Sequence, residues 1–415
     1  MITSFLYDIG ISLYNFFLQI LFPFSKKPRK MVKGHWIVYK LMRQQKEEGV
    51  KYIWFHAASL GEFEQGRPLI EQIRKLYPQH RILLTFFSPS GYEVRRNYRG
   101  ADIICYLPMD KPRNVHKFLN IINPSMAFFI KYEFWKNYLD ELHNRGIPTY
   151  SVSSIFRKDQ VFFKWYGYTY RKVLSDFDQL FVQNEASKRF LAKIGIERST
   201  VVGDTRFDRV VEIMKAAKEL PLIDIFKGDS FTMVAGSSWQ PDEDLFIPYF
   251  NEHREMKLII APHVIDENHL VEIIGKLNRP YVRYSRATEE NVKKADCLII
   301  DCFGLLSSIY RYAEFAYIGG GFGVGIHNTL EAAVYNIPVL FGPKYQHFIE
   351  AKELIDNNGG ASVETYDEMK GYFDKFIADR AFLKSMGNNA GDYVRRNCGA
   401  TEKILKAITP RLEEL

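Results

Sequence analysis

Short apolar runs of strand length alternate with longer amphipathic stretches along this chain, and the alternation occurs twice. YIWFHA (52–57), RILLTFF (81–87), MAFFIKY (126–132), IPTYSVS (147–153) and QLFVQ (179–183) form the first series, separated by helical patterns such as GRPLIEQIRKLY and YEFWKNYLDELHNRG. That rhythm predicts a parallel sheet wrapped by helices. FTMVAG (231–236), KLIIAP (257–262), DCLIID (296–301), FAYIGG (315–320) and PVLFGP (338–343) repeat it. A chain of 415 residues exceeds the size at which one hydrophobic core keeps growing. The expected fold class is therefore α/β, with two Rossmann-like domains facing across a cleft. Their expected bounds are 34–209 and 230–415, the second carrying the C-terminal helices, with 210–229 as the connection.

Ahead of the first series, residues 5–24 read FLYDIGISLYNFFLQILFPF, about the 20 residues a helix needs to span a bilayer. Asp8, Ser12, Asn15 and Gln19 recur at steps of four, three and four, which gathers them on one stripe. A helix lying in the membrane interface, or packed beside another, suits that stripe better than an isolated span; an ordinary buried helix is the alternative. Between Asp8 and Glu47 there is no acidic residue, whereas Lys26, Lys27, Arg29, Lys30, Lys33, Lys40, Arg43 and Lys46 are basic. Such a block seeks phosphate, and the apolar run beside it favours anionic lipid headgroups over nucleic acid. Residues 1–33 are thus expected to associate with a membrane, with the body of the protein on the cytoplasmic side. No small-residue cleavage site marks a removed signal. Cys105, Cys297, Cys302 and Cys398 form no C-x-x-C pair, which suits a reducing cytosol and gives no zinc or disulfide framework.

Five places are candidates for chemistry. In GGGFGVGIHNTLEAAV (319–334) a strand ends in glycines and enters a helix through His327-Asn328, so backbone N–H groups converge where a phosphate would bind. Glu331 follows one turn later, placed either to accept from ribose hydroxyls or merely to complement the dipole. In AGSSWQPDED (235–244), Ser237 or Ser238 donates to a phosphate oxygen or caps the following helix, and Asp242, Glu243 and Asp244 complement its dipole, with no metal expected. His263 in APHVIDENHL follows a strand and a proline at the expected cleft edge, although a lone histidine is more often structural than functional. Arg206 in GDTRFDRV can meet an anion bidentately or is an ordinary solvated loop arginine. Glu62 in HAASLGEFEQ closes an S-x-x-E capping box, yet it also lies just beyond the C-terminal edge of a strand, where open α/β sheets bind ligands. From these residues alone, capping and general-base catalysis stand level for Glu62.

HAASLGE (56–62), YLPMD (106–110), EFWKN (133–137), QNEASKRF (183–190), GDTRFD (203–208), HNTLEAA (327–333) and PVLFGP (338–343) occur in the order and spacing of the 3-deoxy-D-manno-octulosonic acid (Kdo) transferases, bacterial enzymes of lipopolysaccharide assembly. The chain resembles that family over nearly its whole length. The resemblance implies the GT-B glycosyltransferase fold, CMP-Kdo as donor substrate with no separate cofactor, and the tetra-acylated disaccharide bisphosphate precursor of lipid A as acceptor. It also implies inversion at the anomeric carbon, no metal requirement, and a place on the cytoplasmic face of the inner membrane. On the family's pattern Glu62 falls on the catalytic base, and Arg206 on a basic residue, usually lysine, that stabilises the transition state. Pro262-His263, Phe303-Gly304-Leu305 and Asn328-Thr329-Leu330-Glu331 fall on CMP-binding segments. Lys131 stands where the family's E-x-E element has its first, catalytically supportive acid, and Glu133 stands at the second. The family's A-P-R-H-P segment is shortened here to Ala261-Pro262-His263-Val264. A GT-B enzyme using a UDP-sugar and a non-catalytic membrane-associated nucleotide-binding protein are the competing expectations.

Overall fold

The computed structural model describes residues 2–323 and 325–415, so Val324 of the glycine-rich stretch lies outside the described residues. Two compact units emerge. One runs from the N-terminus to Arg209 and regains Cys398–Leu415; the other is Val210–Asn397.

The first unit holds a seven-stranded parallel sheet: β1 (Tyr52–Ala57), β2 (Arg81–Phe86), β3 (Ile103–Tyr106), β4 (Met126–Ile130), β5 (Thr149–Ser154), β6 (Gln179–Val182) and β7 (Ser199–Val201), in the order β3-β2-β1-β4-β5-β6-β7. All six residues of β1 are buried, as the unbroken apolar run requires of a strand covered on both faces. The second unit holds β8 (Phe231–Ser238), β9 (Met256–Pro262), β10 (Tyr281–Arg283), β11 (Cys297–Ile299), β12 (Phe315–Ile318), β13 (Val339–Phe341) and β14 (Gly360–Ser362), in the order β10-β11-β9-β8-β12-β13-β14. In each sheet the winding reverses beside its first strand. β1 lies between β2 and β4, and β8 lies between β9 and β12, so the switch points fall at β1/β4 and at β8/β12. At such points the loops leaving two neighbouring strands part to opposite faces and leave a crevice.

The C-terminal end corrects the expected domain bounds. The last helix, Ala400–Glu413, belongs to the first unit: Ala400, Ile404, Ile408 and Leu412 are buried in one core with Phe55, Phe63 and Phe181. Their spacing of four makes a single apolar stripe, and Asp208 anchors the helix start by accepting from the Gly399 N–H at 2.6 Å and the Thr401 N–H at 2.7 Å. Ile404→Ala should therefore destabilise the first unit by about 2–5 kcal/mol, the usual cost of emptying a buried Ile site, measurable by denaturant unfolding. Nor is 210–229 a bare connection. Thr205–Lys215 is one helix through the boundary, and Pro221–Lys227 is another with Ile223 and Phe226 fully buried.

At the N-terminus, α1 (Ile2–Leu21) and α2 (Lys26–Gln45) meet at a bend of 115°. Among the described residues no single helix is long and apolar enough to cross a membrane. The Tyr7 hydroxyl donates to Asp110 Oδ2 at 2.6 Å, Asn137 Nδ2 donates to Asp8 Oδ1 at 2.8 Å, and Leu18 is buried with Met31, Tyr106 and Met109. The polar stripe is thus divided: Asp8 and Asn15 turn inward, while Ser12 and Gln19 share the outer surface with Leu13, Phe16, Phe17 and Ile20.

Candidate functional site

Glu62 enters through local geometry. β1 ends at Ala57, Ser59 takes extended backbone, and α3 (Leu60–Leu76) begins one residue later. The Ser59 N–H donates to Glu62 Oε2 at 3.0 Å, and among the described residues no hydrogen bond reaches Oε1. Capping and catalysis are therefore not exclusive, because one oxygen is held and the other is left for a proton. Burial raises the carboxyl pKa, and the charge of Glu133 raises it further; His56, the Ser59 amide and Lys131 oppose the rise. Beside it, a Cβ added at Gly61 would meet nothing within 4 Å, so the first turn of α3 is open at that position.

The strand across the switch point supplies the neighbours. Immediately after β4, Lys131 has φ +67°, a left-handed kink held by its N–H to the Val152 carbonyl at 2.8 Å and by the Ser154 hydroxyl to its own carbonyl at 2.6 Å. The kink brings Glu133 round to His56. Glu133 Oε2 accepts from Trp135 Nε1 at 2.6 Å and lies 3.1 Å from His56 Nε2. His56, wholly buried, rests its Nδ1 2.9 Å from Thr85 Oγ1, which itself accepts from Trp54 Nε1 at 2.8 Å. His56 Nε2 thus lies within hydrogen-bond distance of both Glu133 Oε2 and Trp135 Nε1, and its Nδ1 within reach of the Thr85 carbonyl and hydroxyl. Lys131 falls within the electrostatic surroundings of Glu62 and lies 5.6 Å from the Tyr132 ring centre. Glu133→Gln keeps these hydrogen bonds but removes the charge. The pKa of Glu62 should fall, and the acid limb of a pH–rate profile should move to lower pH, which a kcat/KM titration reads directly.

Arg206 is gripped by Asp204, with Nε 2.8 Å from Oδ2 and its backbone N–H 2.9 Å from Oδ1; Gln65 Nε2 completes the carboxylate at 3.1 Å. Tyr132 connects the two candidates. Its hydroxyl is buried without a hydrogen-bond partner among the described residues, and Arg157, Asp204, Arg206 and Glu62 are the charges that act on it.

The second unit builds its site at the β8/β12 switch. Ser237 takes φ +53° at the end of β8, and Ser238 Oγ donates to buried Glu243 Oε1 at 2.8 Å; neither serine caps the helix Gln240–Glu252, whose N-cap is Trp239. Asp242 Oδ2 accepts from the Trp239 N–H and from the Gly320 N–H, both at 2.9 Å, which ties β8 to the glycine loop. Glu243 also meets His269, and Asp244 pairs with Lys276, so each of the three acids is engaged. Pro262 closes β9, and the next residue, His263, stacks between Trp239 at 4.7 Å and His327 at 4.3 Å. Burial, reinforced by His263, lowers the His327 pKa to about 4, and Trp239 Nε1 donates to its Nε2 at 3.2 Å. His327 is thus a neutral acceptor at pH 7.

The glycines permit close approach: a Cβ on Gly321 would lie 2.5 Å from the Gly342 backbone. The helix after them, Leu330–Ala333, is a single turn, shorter than the expected helix, so loop N–H groups rather than a long helix dipole are available to an anion. Asn328 Nδ2 donates to Glu331 Oε1 at 2.9 Å, and Thr329 Oγ1 is buried without a partner among the described residues. In the loop after β11, Phe303 is 80% exposed, Gly304 takes φ +88°, and Leu305 leads into the helix Leu306–Ile309.

Two parallel Rossmann-like sheets, each with polar side chains gathered at its own switch point, define the GT-B class. UDP-GlcNAc 2-epimerase from Neisseria meningitidis bound to UDP-GlcNAc shares the fold, with TM-score 0.62 at 14% identity over 87% of this chain and 100% of that one. So does a putative UDP-N-acetylglucosamine 2-epimerase from Listeria monocytogenes, with TM-score 0.58 at 13% identity over 88% and 97%. Residues 34–209 match the family described as 3-Deoxy-D-manno-octulosonic-acid transferase (kdotransferase). The 3-deoxy-D-manno-octulosonic acid transferase of Haemophilus influenzae is 24% identical over 381 residues, 87% of each chain, and that of Aquifex aeolicus 27% identical over 325 residues, 76% of this chain and 83% of that one. Residues 34–209 thus match the Kdo transferase domain, the chain is similar to Kdo transferases over most of its length, and this similarity indicates a glycosyltransferase.

Proposed function

We propose that this protein moves Kdo from CMP-Kdo to the tetra-acyl disaccharide bisphosphate precursor of lipid A, with inversion and with Glu62 as general base. The observation that carries this reading is the divided carboxylate of Glu62: Oε2 held by the Ser59 amide, Oε1 without a hydrogen bond among the described residues, and a pKa raised by burial and by Glu133. A base in that state removes a proton from a sugar hydroxyl as the oxygen attacks the anomeric carbon. Arg206 offsets the negative charge that develops on the departing CMP.

The second unit binds CMP-Kdo through Pro262, His263, Phe303, Gly304, Leu305, Asn328, Thr329, Leu330 and Glu331. Neutral His327, whose Nε2 already accepts from Trp239, keeps an Nδ1–H donor, and His263 is fixed by stacking between Trp239 and His327. Transfer needs no metal on this reading, since Asp242, Glu243 and Asp244 already bond to Gly320, His269 and Lys276. The exposed apolar face of α1 and the basic residues of α2 hold the protein on anionic lipid at the cytoplasmic face of the inner membrane, and those cations attract the acceptor's phosphates.

The test is transfer by the purified full chain, supplied with CMP-Kdo and the lipid A precursor and read by product mass. Addition of Kdo is expected. Kdo-free product together with tighter binding of UDP than of CMP would replace this reading with that of a UDP-sugar enzyme, the nucleotide class bound by the Neisseria meningitidis epimerase of the same fold.

A further inference from the structure

An apolar groove of about 420 Å³ lies in the first unit between α1 and the segment leading into the helix Tyr168–Ser175, within the roughly 300–1,000 Å³ of small-ligand sites. Leu6, Gly10 and Ile11 form one wall, and Phe134, Tyr166 and Tyr170 the other. Its polar neighbours are already engaged: Tyr7 donates to Asp110, and the Lys136 ammonium lies 2.6 Å from Asp140 Oδ2. What remains to be covered is hydrocarbon, and burying it favours a ligand of the same kind.

Two surroundings say which hydrocarbon. Outside, the exposed apolar face of α1 carries Phe5, Leu13 and Phe16, each more than half exposed, and the other wall leads to Trp165, 90% exposed, and to Tyr168 at the helix start, 73% exposed. Aromatic side chains in that position favour the headgroup level of a bilayer, and the run from Lys26 to Lys33, which follows α1 in the chain, is complementary to anionic headgroups. Inside, Phe134 stands in sequence between Glu133 and Trp135, the two side chains bonded to each other beside His56 and in the electrostatic field of Glu62.

We propose that this groove holds one acyl chain of the lipid acceptor, drawn up from the membrane so that the attached sugar lies at Glu62. The inference rests on the lipid-acceptor reading above and assigns it a chain-binding site. Specificity for an acylated over a bare sugar follows from the lost burial when no chain fills the groove.

Gly10 provides the test, because a Cβ added there meets no atom within 4 Å and leucine is the better helix former. Gly10→Leu fills the groove without disturbing α1. It should raise KM for the tetra-acyl acceptor at least tenfold, with Gly10→Ala in between. Gly275→Leu, equally open but on a helix of the second unit, should leave KM unchanged. A photoreactive diazirine on the acyl chain of phosphatidylglycerol vesicles gives a readout independent of transfer. With wild-type full-length protein it should label peptides containing Gly10, Phe134 and Tyr166, and Gly10→Leu should lose that label. An unchanged KM in Gly10→Leu, or label confined to Leu13, Phe16 and Phe17 on the outer face, overturns the proposal. Labelled groove peptides without transfer from CMP-Kdo would remove the donor reading and leave the chain site standing.

Discussion

Glu62→Gln should reduce transfer by about 10²–10⁴-fold, the range a positioned general base supplies, with the first unit folded and as stable as before. Glutamine keeps an oxygen for the Ser59 N–H, so the start of α3 retains its cap, and only the ability to take a proton is lost. The stability expectation follows from linkage. The folded-state pKa of Glu62 is raised, so the folded protein binds that proton more tightly than the unfolded chain. The stabilising contribution is then present at low pH and declines as pH rises between the unfolded and the folded pKa. Above that interval the buried charge costs stability, and Glu62→Gln should melt at the same temperature as wild type or slightly higher. Glu62→Ala differs in one respect: it also leaves the Ser59 N–H without its partner, at about 0.5–1.5 kcal/mol. A transfer assay and a melting curve on both variants separate the two roles. Near-normal turnover in Glu62→Gln, with a melting point lowered as in Glu62→Ala, would make Glu62 a cap and nothing more.

The same residue shows how far the sequence could be read. Ten strands were legible as apolar runs, because a central strand is covered on both faces and announces itself. The four that were not, Ile103–Tyr106, Ser199–Val201, Tyr281–Arg283 and Gly360–Ser362, are the edge strands of the two sheets, only three or four residues long. An edge pairs on one side only and can be short, which leaves too little apolar sequence to detect. Glu62 was visible because strand, turn and helix start are all local. His56 was not, since one histidine inside YIWFHA reads as a core residue until β4 places Glu133 against it, 77 positions away. The return of Ala400–Glu413 to the first unit is likewise a long-range fact. Its apolar stripe states that it must be buried, but not against which sheet.

Arg206→Ala should lower kcat by about 10²–10³, as removal of one preorganised stabilising donor does, and its cause can be divided experimentally. Asp204 is 6% exposed, and its charge is balanced by the Arg206 guanidinium, while Gln65 and the Arg206 backbone N–H supply neutral hydrogen bonds. Deleting the guanidinium therefore does two things. On the proposed role of Arg206, it removes the stabilising cation, and it leaves the Asp204 carboxylate without its guanidinium partner, so that its charge opposes the negative charge developing in the reaction. The double variant Arg206→Ala/Asp204→Asn removes both charges and should recover part of the loss, about tenfold, because like-charge repulsion is then absent. Arg206→Lys should retain most activity, since it keeps the positive charge, although it gives up the planar guanidinium grip on Asp204. A double-mutant cycle on kcat measures the coupling. Effects that simply multiply, with the double variant slower than either single one, would mean that Asp204 only holds Arg206 in position and that its charge does not reach the reacting atoms.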